Sequence, residues 1–144
     1  MNLAPLIEAP MQIQVHVAAV AVAMALGPVQ LLLPKGTRGH VFSGRVWVGA
    51  MVVTCLSAML ILDRPFSPSI GPFSWLHGLA LFTLAMLYRA VRLARAGDIW
   101  QHRITMTCLI LFALGIPAIF AVAVPGRILN KAFFGPTVQS QASR

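Results

Sequence analysis

The chain has 144 residues, of which 58% are hydrophobic and 10% charged, and its 11 Lys and Arg against 3 acidic residues give a formal net charge of +8. A soluble domain carries about a quarter charged residues, so this composition excludes one. On a soluble chain such basicity would point to nucleic acid, but the apolar runs below override that reading, and no nucleic-acid partner is expected.

A bilayer core takes about 20 mainly apolar residues per helix. Residues 15–33 form the first such run, charge-free apart from His16 and closed by Pro34 to Gly36. The second runs over 46–62, with Thr37 a plausible N-cap for a helix that begins earlier and passes through Arg45. The third starts near Pro72 or Phe73, where proline suits a first turn, and ends in Arg89, Arg92 and Arg95. The fourth runs over 104–124, with Asp98 as its N-cap and Pro117 as a kink.

These runs predict an all-α fold, a four-helix transmembrane bundle in up-down-up-down order. The helices lie over roughly 11–33, 38–62, 72–95 and 99–124, and a polar tail covers 125–144, so residues 1–144 form one integral membrane domain. The N-terminus lacks the basic start of a cleavable signal peptide and is expected to persist. Lys35, Arg38, Arg45, Arg89, Arg92, Arg95 and Arg103 fall on one side, against Arg64, Arg127, Lys131 and Arg144 on the other. The positive-inside rule then puts both termini outside the cytoplasm, in a bacterial inner membrane.

The four histidines fall one per helix, each near a helix start: His16, His40, His77 and His102. Because the helices alternate in direction, His16 and His77 share the outer level, while His40 and His102 share the cytoplasmic level. His77 follows His16 by 61 positions and His102 follows His40 by 62, so the second hairpin repeats the first almost in register. Such a repeat implies a pseudo-two-fold axis along the membrane normal, facing His16 toward His77 and His40 toward His102. A bundle diagonal of roughly 11 to 14 Å holds a flat ring between two imidazoles. The pattern therefore predicts two non-covalent haem b groups with these four histidines as iron ligands, at levels roughly 22 Å apart. Arg45 and Arg103 are placed to meet the propionates, and Gly39, Gly44, Gly49 and Gly78 to let a macrocycle approach the backbone.

Other roles for these residues are ordinary ones. Helix-end imidazoles also serve as headgroup-level anchors, and Arg45, Arg89 and Arg103 suit snorkelling on a basic face. Trp47, Trp75 and Trp100 read as interface anchors, and Cys55 and Cys108 as small buried residues. The cysteines give no disulfide framework, and no CxxCH exists for covalent haem. No acidic residue falls inside a span, which disfavours an ion-coupled transporter, and no hydrolase or nucleotide motif is present.

The stretches KGTRGHVFSGRVWVGAM (35–51) and RAGDIWQHRITM (95–106) and the closing PGR (125–127) resemble a bacterial family of predicted membrane proteins, domain of unknown function 2306. The resemblance covers His16 to Arg127 and implies a multi-pass membrane location without an activity. The paired histidines also resemble, in pattern alone, the two-haem transmembrane cytochromes b. The expected function is electron transfer across or within the bilayer, to or from quinone or a redox partner subunit. Two further readings stand beside it: a haem-free accessory subunit of a membrane complex, and a small transporter or channel using its histidines as titrating or metal-binding groups.

Overall fold

The structure, a computed structural model, describes residues 4–61, 69–70, 73–123 and 130. After a single turn, α1 (Ala4–Ile7), come α2 (Met11–Leu32) and α3 (Arg38–Leu60). A two-residue antiparallel ladder, β1 (Ser69–Ile70) with β2 (Phe73–Ser74), precedes α4 (Trp75–Arg95). The chain finishes with α5 (Ile99–Cys108), a π-helical segment (Leu109–Gly115) and α6 (Ile116–Ala123), which together form one continuous rod. Four helical rods of 22, 23, 21 and 25 residues are thus long and apolar enough to cross a membrane. At 1.5 Å per residue each exceeds the roughly 30 Å of a hydrocarbon core.

Local chemistry fixes the connections at one end of the bundle. Leaving α2, the chain turns through Gly36 at a φ of 82°, while Lys35 folds back so that its ammonium donates to the carbonyls of Gln30, Leu31 and Leu33. Those carbonyls have no further helical donors, and a cation at a helix C-terminus also complements the dipole. Thr37 then caps α3 by accepting from the His40 amide at 3.2 Å. Between α4 and α5, Gly97 adopts a φ of 81° and the amides of Gly97 and Asp98 return to Ala94 and Leu93, a Schellman ending. Asp98 at once caps α5 by accepting from the Gln101 amide at 3.1 Å. Both N-caps match the sequence reading.

α3 packs on α2 and α4, and α4 on α5, while the π segment touches both α2 and α4 and closes the ring. α2 and α4 therefore lie on one diagonal, α3 and α5 on the other. The core is a plug of Ala23, Trp47, Met51, Leu87, Leu109, Ile110 and Leu114. Outside it the relation of a soluble protein is reversed, with Phe82, Phe112 and Ile119 exposed. Acyl chains cover that surface.

Three expectations are corrected. α4 begins at Trp75, not near Pro72, because Phe73 and Ser74 are paired in the ladder and cannot also start the helix. Trp47 is not an interface anchor: it is 1% exposed at the centre of the plug. Cys108 is exposed, because the inward positions around it are Thr105 and Leu109. Where the sequence predicts a kink at Pro117, a π segment ends two residues before the proline, which withholds its own amide and crowds the preceding turn. Of the expected tail over 125–144, only Asn130 lies within the described residues; its amide donates to the Val122 carbonyl at 2.8 Å.

Candidate functional site

Helix direction puts His16 and His77 near one end of the bundle, and His40 and His102 near the basic end that holds Lys35 and Asp98. Each pair occupies a diagonal, as the sequence suggests. His77 is buried, and the other three are half-buried.

His16 reaches sideways to α3. Its Nδ1 lies 3.0 Å from the Thr54 carbonyl oxygen and 3.0 Å from Ser57 Oγ. A carbonyl accepts only, and the Ser57 hydroxyl donates at 2.7 Å to the Val53 carbonyl, so its lone pair is what it turns to the ring. Both contacts demand a proton on Nδ1. In the neutral imidazole this leaves the Nε2 lone pair as the free coordinating site.

His102 repeats the arrangement in the second hairpin. Its Nδ1 lies 2.9 Å from the carbonyl of Ala90 on α4, and Ala90 is fully buried with a side chain too small to obstruct the ring. The same logic puts the proton on Nδ1. Metal-ligating histidines are characteristically held in this way, by an Nδ1–H to a backbone carbonyl.

At the basic end His40 lies within electrostatic reach of both Lys35 and His102. Its Nδ1 is buried and has no hydrogen-bond partner among the described residues. Next to it stands a residue that sequence reasoning missed. Gln30 is 9% exposed in the apolar C-terminal half of α2, donating to Ser43 Oγ and, at 3.3 Å, to the His40 carbonyl. A glutamine embedded in a hydrophobic run, seven residues before a predicted N-cap, was the available signal.

Arg45 and Arg103 are both exposed at the basic end, and neither has a carboxylate partner among the described residues. Arg45 shares a shallow concavity with Gly36, Arg38, Val41 and Phe42. The glycines near the histidines differ in their surroundings. Gly39, Gly49 and Gly78 are exposed and face open space, whereas a Cβ on Gly44 would meet the Gln30 side chain at 3.4 Å. Among the described residues no group of three or more His, Cys, Asp or Glu converges to hold a metal ion.

A family profile described as "Predicted membrane protein (DUF2306)" matches residues 13–140. The chain belongs to that family and is a multi-pass membrane protein. No curated protein and no solved structure matches it.

Proposed function

Taking a multi-pass protein of this family as the premise, we propose that it is an electron-transfer protein. His16 with His77, and His40 with His102, would hold the iron of two haem b groups. The observation that carries the reading is the tautomer imposed on His16 by Thr54 and Ser57, repeated on His102 by Ala90. Each diagonal pair thereby contains one imidazole whose Nε2 is available to iron and whose ring cannot easily rotate away. The bound group supplies reversible one-electron chemistry. The chain's own residues orient the ligands, and Arg45 and Arg103 offer guanidinium donors at the basic end for propionates. Between the two levels the Trp47 plug excludes water. The partner such chemistry would require is quinone or a redox partner subunit, in a bacterial inner membrane with the basic end cytoplasmic.

The visible spectrum of the detergent-purified protein from haem-supplemented cells tests this. A sharp reduced alpha band is expected, with His77→Ala bleaching one centre and His102→Ala the other. A colourless preparation overturns the reading and leaves the haem-free accessory subunit. Orientation is checked separately with an impermeant maleimide on Glu8→Cys in a chain lacking Cys55 and Cys108, which should be labelled from outside intact inner-membrane spheroplasts.

A further inference from the structure

We infer that the cleft at the basic end of α4, lined by Tyr88, Arg89, Arg92, Leu93 and Ala96, binds the phosphate of an anionic phospholipid. This site is independent of the histidines and of the haem reading.

The cleft is a shallow, open depression of about 410 Å³. Its two guanidiniums are held in place by neighbours. Arg89 Nη1 donates at 3.4 Å to Thr105 Oγ1 on α5, whose own hydrogen goes to the Gln101 carbonyl. Arg92 Nη1 donates at 3.1 Å to the Tyr88 hydroxyl, and its guanidinium carbon lies 5.8 Å from that ring's centroid. An arginine carries five N–H donors, so most of each fork remains for an external acceptor, and the Tyr88 hydrogen is free to join them.

Neither arginine has a carboxylate partner among the described residues. Asp98, the acidic residue at this end, is engaged in capping α5. Among the described residues no carboxylate complements the two charges, which leaves the cleft open to an external anion.

The surroundings select a lipid over a soluble anion. Phe82 and Ala85 are exposed on the same stripe as Arg89, at three- and four-residue spacing along α4, so an apolar track runs from the cleft toward the middle of the span. A headgroup phosphate seated between the arginines can lay an acyl chain along that track. Exposed Trp100 stands at the same end, as aromatic residues do at headgroup level. Basic pockets at helix ends are suited to anionic headgroups for these reasons.

The test uses native mass spectrometry of the delipidated full-length protein, titrated with phosphatidylglycerol, phosphatidylcholine or glycerol 3-phosphate. Retention of phosphatidylglycerol alone is expected. The paired change Arg89→Gln and Arg92→Gln should weaken it roughly 25-fold, about five-fold per arginine. The change Arg38→Gln, at the same end but outside the cleft, should leave it unaltered. Equal retention of phosphatidylcholine, tight binding of glycerol 3-phosphate, or a loss from Arg38→Gln equal to that of the paired variant overturns the proposal. Should the Arg89 and Arg92 variant fail to fold, Tyr88→Phe decides. It removes one donor, and unchanged affinity for phosphatidylglycerol counts against the site.

Discussion

The indole Nε1–H of Trp47 donates to the carbonyl oxygen of Ala23 at 3.0 Å, joining α3 to α2 in the middle of the bundle. The neighbouring carbonyl, that of Met24, loses its helical donor because Pro28 has no amide. The bond therefore reinforces α2 where its own ladder is interrupted, and in hydrocarbon no water can substitute for it. Trp47→Phe keeps most of the ring but removes the donor, and should cost about 1 kcal/mol. Trp47→Ala should cost about 3–5 kcal/mol through the cavity left in the plug. Thermal unfolding in detergent measures both.

Gly27 permits the closest approach between α2 and the π segment. A Cβ there would lie 3.3 Å from Ile110 Cγ2 and 3.6 Å from Trp47 Nε1. Both neighbours are buried and cannot swing aside. Gly27→Ala should therefore lower stability by about 1–3 kcal/mol, less its gain in helix propensity. Combined with Ile110→Ala, which removes the obstructing methyl, it should cost less than the sum of the single changes. A double-mutant cycle on the unfolding midpoints reads that coupling.

Gln30 presents the opposite case. Removing it strands little, because Ser43 retains its 2.7 Å bond to the Gly39 carbonyl. Gln30→Leu is expected to change stability by less than about 1 kcal/mol. Gly44→Val, which drives a branched side chain into the Gln30 amide, should be more damaging than Gln30→Leu. The order of the two midpoints in a denaturation series checks this.

Asp98 caps α5 immediately after the Schellman turn at Gly97. Asp98→Ala should cost about 0.5–2 kcal/mol, and Asp98→Asn much less because the amide oxygen still accepts. Hydrogen exchange at the Gln101 amide, faster in the alanine variant alone, locates the effect.

Four spans, their order and both capped helix starts were legible in the sequence, because bilayer thickness and the backbone's need for donors restrict the choices severely. The levels of the histidines were legible too, since they follow from helix direction alone. What neighbours each ring was not: His16 turns toward Thr54 and Ser57, residues some forty positions away, and no periodicity specifies that contact. Trp47 was misread for a related reason. Its position nine residues past Arg38 suits an anchor as well as a core residue, and only the gap beside Gly27 makes room for an indole inside. The start of α4 was displaced by a ladder whose strands are too short to leave a pattern.

The π segment gives the fourth rod a slack of its own. Each wide turn consumes one more residue than an α turn, so Leu109 and Leu114 can both face inward although five positions separate them. Such a swelling accommodates one extra residue while the flanking faces stay in place. Deleting one residue between 109 and 115 should be absorbed by tightening to ordinary α geometry, whereas the same deletion in α3 would rotate every following side chain by about 100°.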